Sequence, residues 1–61
     1  MRYFKIYDWI APEGQPYREL EDGSLETQNI PGKWEPSILD SLGELKSLMG
    51  PKDRLEEVEE I

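Results

Sequence analysis

The chain has 61 residues and no cysteine, so neither a disulfide nor a thiolate-bound zinc ion can supplement its hydrophobic core. A chain of this length forms one domain at most, and it buries only about 60 % of the surface that its unfolded form exposes. Hydrophobic residues make up 36 % of the sequence, which is enough for a small core. We therefore expect one domain of low stability, either alone or supported by a partner.

The N-terminal segment, residues 2–10, predicts the first strand. It is rich in aromatic and β-branched residues and contains neither glycine nor proline. Strand alternation gives it one face that we expect in the core, formed by Phe4, Ile6 and Ile10. The opposite face is largely aromatic and is formed by Tyr3, Lys5, Tyr7 and Trp9.

Residues 16–21 and 24–30 predict two further strands joined at Asp22-Gly23. This dipeptide is typical of a two-residue hairpin turn, because both positions tolerate a positive φ angle. Such a turn places Leu20 opposite Leu25 and Glu19 opposite Glu26. A one-residue bulge at Gly23 is the alternative, and it would shift this register.

A helix over residues 37–49 is predicted next, after an irregular segment at residues 33–36. Ser37 suits the N-cap, and a start near Glu35 with Pro36 in the first turn fits equally well. Gly50-Pro51 ends the helix. Its apolar stripe comprises Ile38, Leu39, Leu42, Leu45, Leu48 and Met49.

The predicted fold is therefore α+β: a three-stranded antiparallel meander followed by one amphipathic helix that packs on one face, all within residues 1–50. The remaining segment, residues 51–61, is acidic. Its apolar residues Leu55, Val58 and Ile61 are three positions apart. We expect this segment to be a short second helix or only partly ordered.

The charge balance restricts the partners. Seven basic residues against fourteen acidic ones give a net charge of −7, which repels phosphate backbones and anionic lipid. Direct nucleic-acid and membrane binding are therefore not expected. The sequence also lacks a signal-peptide pattern and an apolar run of about 20 residues, which predicts a soluble, cytoplasmic protein.

The side-chain inventory argues against an enzyme. Without histidine and cysteine, the chain has no general base near neutral pH and no thiolate nucleophile. A carboxylate pair would need a deep cleft, which so small a domain hardly offers. We predict no catalytic residue, no cofactor and no small-molecule substrate. Glu21, Asp22 and Glu26 raise the hypothesis of a calcium site, but their spacing does not match an EF-hand loop, and we predict no metal site.

The aromatic residues favour a binding function, because four of the six lie between positions 3 and 9. The simplest interpretation puts Phe4 and Trp34 in the core and lets the tyrosines lie across the sheet. The functional interpretation is a non-enzymatic interaction module that binds a protein partner, or a second copy, through an aromatic sheet face. Its candidate residues are Tyr3, Tyr7, Trp9 and Tyr17.

An alternative is an acidic inhibitor, of the phage or mobile-element type, that mimics nucleic acid. It would occupy the basic groove of a nucleic-acid-binding protein. Its candidate surface consists of acidic residues from the hairpin and the C-terminal segment: Glu19, Glu21, Asp22, Glu26, Glu56, Glu57, Glu59 and Glu60.

Overall fold

The computed structural model describes all residues from Met1 to Ile61 and contains one five-stranded antiparallel sheet and one short helix. In chain order the elements are β1 (Arg2–Tyr7), β2 (Gln15–Glu19), β3 (Leu25–Ile30), β4 (Lys33–Pro36), α1 (Leu42–Ser47) and β5 (Arg54–Val58). The strand order is β4-β3-β2-β1-β5. The predicted three-stranded meander with a long amphipathic helix is therefore wrong, and it fails at three elements.

The first strand ends earlier than predicted because Asp8 starts a turn. The Asp8 carboxylate accepts hydrogen bonds from the backbone N–H groups of Ile10 at 3.0 Å and Ala11 at 2.7 Å. Such local bonding competes with the sheet ladder. Phe4 and Ile6 are buried as expected, whereas Ile10 lies outside the strand and is exposed.

The β2–β3 hairpin adopts the bulged register. Glu19 pairs with Leu25 and Arg18 pairs with Glu26, one residue away from the two-residue-turn register. Gly23 has a φ of +87° and donates its N–H to the Leu20 carbonyl oxygen at 3.0 Å, which is the geometry of a turn with a glycine bulge. The shift replaces a Glu19–Glu26 repulsion with an Arg18–Glu26 ion pair.

The segment predicted to be irregular forms the edge strand β4. Pro31-Gly32 makes a two-residue turn with Gly32 at a φ of +84°, and Ile30 pairs with Lys33 directly across it. Proline before a glycine with positive φ favours a type II turn. Pro36 is tolerated because it is the last residue of an edge strand, where its missing N–H breaks no ladder bond.

The predicted 13-residue helix is reduced to the six residues of α1. Its N-cap is Ser41, whose hydroxyl accepts from the Glu44 N–H at 3.2 Å. The predicted cap, Ser37, instead donates its N–H to the Leu25 carbonyl oxygen, so the chain is still bonded to the sheet at that position. Of the predicted stripe, only Leu45 is buried, and Ile38 and Leu48 are exposed. The helix is also far too short to cross a membrane.

The C-terminal segment contributes β5 in place of a helix or a disordered tail. Arg54–Val58 pairs antiparallel with β1, with Leu55 opposite Ile6 and Val58 opposite Tyr3. The backbone groups on the second side of β1 need partners, and pairing satisfies them despite the low strand propensity of glutamate. As a result β1, the most aromatic strand, lies inside the sheet.

The core lies between one sheet face and α1. Its buried residues Ile6, Leu25 and Leu45 are surrounded by partly buried side chains: Tyr17, Leu39, Leu42, Met49 and Leu55. Phe4 is the most buried large side chain, and only 2 % of it is exposed. The Arg2 guanidinium covers the Phe4 ring at 5.1 Å from its centroid and also bonds to Glu57 on β5. This contact joins the N-terminal strand to the C-terminal one.

Candidate interaction surface

The sheet face opposite α1 carries two of the four candidate aromatic residues, Tyr3 and Tyr7. Tyr3 and Tyr7 project from β1 on this face, and Trp34 of β4 lies near Tyr3 with ring centroids 6.2 Å apart. All three rings remain partly exposed. Trp34 is therefore not a core residue, and it belongs to the same face as the candidate tyrosines.

The part of this face around Trp34 satisfies its own polar groups. The Arg18 guanidinium stacks on the Trp34 ring at 4.5 Å from its centroid, and its Nε donates to the Glu26 carboxylate at 2.7 Å. A cation that is stacked and ion-paired offers little to an incoming partner. We interpret Tyr3, Arg18, Glu26 and Trp34 as a structural cluster that covers the sheet.

The other end of β1 presents apolar side chains that are not covered. Trp9 is 87 % exposed and its neighbour Ile10 is 73 % exposed. The Asp8 carboxylate holds the turn that carries them, and Gly14 donates its N–H to the Ala11 carbonyl oxygen at 3.0 Å. We call residues 8–11 the Trp9 turn. Its apolar side chains project from a hydrogen-bonded backbone, which differs from the arrangement in a frayed loop.

An open concavity of about 350 Å³ lies beside this turn. It is lined by residues from two segments that are distant in the sequence, residues 7–12 and 52–54: Tyr7, Asp8, Trp9, Pro12, Lys52 and Arg54. The Arg54 guanidinium lies over the Tyr7 ring, 4.4 Å from its centroid, because Tyr7 and Arg54 are register partners on neighbouring strands. The concavity therefore combines aromatic and cationic groups.

Gly14 allows the loop before β2 to pass close to the Tyr7 ring. Its φ is +97°, and a Cβ atom at this position would lie 2.9 Å from Cε2 of the Tyr7 ring. Only glycine accommodates both the positive φ and the close approach. The ring that forms one wall of the concavity is thus held between Gly14 and Arg54.

The structure separates Tyr17 from the other candidate residues. Tyr17 packs against the buried core cluster on the α1 side of the sheet, and burial raises the pKa of its phenol. Tyr3 lies in the structural cluster at one end of the open face. Only Tyr7 and Trp9 of the four lie together, at the concavity.

The acidic candidates are divided between two environments. Glu19 and Glu57 both bond to Arg2, and this hydrogen bonding lowers the pKa of Glu57. Glu26 is paired with Arg18, and Glu56 is exposed on β5. The β2–β3 turn, with Glu21 and Asp22, lies at the same end of the sheet as the residues after β5, Glu59 and Glu60. One end of the sheet is therefore strongly acidic.

The acidic hairpin turn does not form a metal-binding geometry. Asp22 accepts hydrogen bonds from both the N–H and the hydroxyl of Ser24, which lower the pKa of its carboxyl group. Glu26 is engaged with Arg18 on the open face. The structure contains no group of three or more acidic, histidine or cysteine side chains that could hold a metal ion.

The site also contains Ile10, Lys52 and Arg54, which no sequence pattern indicates as binding residues. The alternation of residues 2–10 predicts Ile10 in the core, although an aspartate followed by a turn signal at Pro12 indicates an earlier strand end. Lys52 and Arg54 come to the site only through the pairing of β5 with β1. No local pattern indicates that pairing.

Fold and surface together define a small antiparallel-sheet domain with one helix and an exposed aromatic turn. Comparison with family models, with curated proteins and with solved structures yields no match to this chain.

Proposed function

We propose that this protein is a non-enzymatic interaction module that binds a protein partner through the Trp9 turn and the adjoining part of the aromatic sheet face. The observation that carries the proposal is the exposure of Trp9 and Ile10, side by side, on a hydrogen-bonded turn. A small domain that has few apolar residues for its own core gains no stability from placing two of them in solvent.

The hydrogen bonds within the turn support a binding role. A preformed turn loses less conformational entropy on association than a mobile one, so more of the contact energy contributes to affinity. Tryptophan is also the side chain that most often dominates the energy of an interface. Trp9 at the rim, with Tyr7 beside it, has the composition of an anchor for a partner.

Self-association through the free edge of β5 is disfavoured. An antiparallel pairing of two β5 strands centred on Glu56 would place the two Glu56 side chains opposite each other, with Glu57 and Glu59 close by. Like charges at directly opposed positions destabilise a strand pair, and charged edge strands resist such pairing. The binding surface is therefore assigned to the Trp9 turn, away from the sheet edge.

Trp9→Ala and Ile10→Ser should each abolish most of the binding to a partner captured from cells of the source organism. We expect a loss of about 2 kcal/mol for Trp9→Ala, or roughly thirtyfold in the dissociation constant, because an anchor tryptophan loses most of its contact area. The measurement is quantitative affinity capture with immobilised protein, followed by a titration with the purified partner.

Ile38→Ser is the matched control, because Ile38 is 94 % exposed and lies in the connection between β4 and α1. Circular dichroism should show that all three variants are folded, since surface substitutions usually change stability by about 0.5 kcal/mol or less. Equal retention of the partner by the wild type, Trp9→Ala and Ile10→Ser would contradict the proposed function.

A second candidate function, nucleic-acid mimicry, is favoured by one observation: the acidic end of the sheet. If a retained partner binds there, Glu21→Lys combined with Glu60→Lys should weaken binding by about tenfold or more, and added salt should weaken it steeply. Glu13→Lys combined with Asp40→Lys makes the same change in net charge at exposed positions elsewhere and should have a much smaller effect. Binding that responds to Trp9→Ala and not to the acidic-end variant excludes this candidate.

A further inference from the structure

We propose that the concavity beside the Trp9 turn takes an acidic segment of the partner, with a carboxylate bound by Lys52 and Arg54 and an adjacent apolar side chain packed against Tyr7 and Trp9. This inference rests on the proposed function and adds the chemistry of the partner to it.

The cations of the concavity have no carboxylate partner within the protein. Three of the seven basic side chains are ion-paired, namely Arg2, Arg18 and Lys33. Lys52 and Arg54 have no carboxylate within 4 Å, and both line the concavity. In a protein with a net charge of −7, two unpaired cations at one site are a local reversal of the overall charge.

The nearby carboxylates accept hydrogen bonds from backbone N–H groups. Asp8 uses one oxygen to accept from two N–H groups of its own turn. Asp53, between Lys52 and Arg54 in sequence, accepts from the Gly50 N–H at 2.8 Å. These bonds hold both acids against the chain, so the cations remain available to an external anion. The lining residues carry two positive charges and one negative charge.

The same concavity has an apolar wall. Tyr7 stacks under Arg54, and this contact holds the guanidinium plane beside the aromatic surface. Pro12 and Trp9 also line the concavity. A guanidinium held in one plane binds a carboxylate with two parallel hydrogen bonds, and the aromatic groups accept an apolar neighbour of that carboxylate. An acidic peptide with an apolar residue next to its aspartate or glutamate can therefore contact both the cations and the aromatic wall.

Single-stranded nucleic acid is the competing ligand class, since it also combines anionic groups with flat apolar surfaces. The total charge disfavours it, because a phosphate backbone carries many negative charges and the chain has fourteen acidic residues against seven basic ones. A peptide segment with one or two carboxylates meets only the local positive charge. The observations therefore favour the peptide.

The test is a selection from a random dodecapeptide library displayed on phage, with the full chain as bait. We expect the recovered peptides to be enriched in aspartate or glutamate next to an apolar residue. Fluorescence anisotropy with a labelled peptide from the enriched set then gives dissociation constants. Lys52→Gln combined with Arg54→Gln should weaken binding at least tenfold, because hydrogen bonds to charged groups are lost. Lys46→Gln, which removes an unpaired, exposed lysine on α1, should leave the constant within twofold.

The outcomes separate this inference from the proposed function. Enriched peptides that are neutral or basic, and that lose binding in Trp9→Ala alone, would overturn the acidic-segment inference and leave the interaction module intact. Failure to enrich any peptide dependent on Trp9 would overturn both. An eight-residue thymidine oligonucleotide that displaces the selected peptide and binds more tightly would assign the concavity to nucleic acid and also overturn the inference.

Discussion

Phe4→Ala should leave the protein largely unfolded at room temperature. Replacing a buried phenylalanine by alanine costs about 3 to 5 kcal/mol through the lost burial and the cavity that remains. A 61-residue domain has a free energy of unfolding of roughly 3 to 9 kcal/mol. Phe4 is 2 % exposed, and Arg2 covers its ring, so the neighbouring side chains have little freedom to fill the space. The loss is therefore comparable to the total stability.

Urea unfolding followed by circular dichroism measures this effect, and Phe4→Leu provides a milder variant that remains folded. Phe4→Leu keeps a hydrophobic side chain and removes fewer buried atoms than Phe4→Ala, so it should cost less stability than the alanine substitution. Trp9→Ala is the matched control, because it removes a larger aromatic group from an 87 % exposed position. An unfolding midpoint of Phe4→Ala equal to that of Trp9→Ala would contradict the assigned core.

Truncation after Lys52 should also prevent folding, because it removes β5. The missing strand supplies Leu55 to the core cluster and bonds to the whole length of β1 from Tyr3 to Tyr7. Without it, β1 becomes an edge strand with unpaired backbone groups, and the partner that Glu57 provides for Arg2 is lost. We expect the far-ultraviolet spectrum of a disordered chain and no cooperative thermal transition.

A chain that ends after Glu59 is the control, since it keeps every residue of β5 and lacks only Glu60 and Ile61. It should unfold cooperatively at nearly the temperature of the full chain. If the fragment of residues 1–52 also folds cooperatively, the first four strands with α1 suffice as a domain, and β5 is an addition to it.

The Phe4 prediction and the Trp9 prediction test a buried and an exposed aromatic residue that lie five positions apart in the sequence. Phe4 and Trp9 lie in and just after the same strand, yet one is buried beneath Arg2 and the other projects into solvent. Substitution of the first should remove the fold, and substitution of the second should remove a contact with a partner. Measuring both properties for both variants separates structural from binding roles.

Local patterns predicted several elements well. The period-two alternation of residues 2–7 correctly placed Phe4 and Ile6 in the core, because a strand with one buried face must repeat every two residues. The Asp22-Gly23 hairpin was predicted because these residues adopt backbone conformations that few others tolerate. The absence of histidine and cysteine limited the available chemistry independently of the fold.

The long helix was predicted from an apolar pattern that extends over both α1 and the connecting segment before it. Apolar residues from Ile38 to Met49 have helical spacing, but the segment up to Asp40 is bonded to the sheet through Ser37. The helix starts only after Ser41, where a side-chain cap becomes available. Apolar periodicity does not distinguish a helix from a connecting segment that lies over the same core.

The sequence by itself determined that this chain is a small, acidic domain without thiol or imidazole chemistry, and that four of its six aromatic residues lie between positions 3 and 9. Only the tertiary structure decided which aromatic residues are available for binding. The surroundings of Tyr7 depend on β5, whose pairing with β1 brings Arg54 beside the Tyr7 ring. Its sequence has a weak strand propensity, but the unpaired edge of β1 outweighs this propensity. A contact between residues 47 positions apart leaves no trace in local sequence, because its energy comes from backbone pairing and packing in the folded sheet.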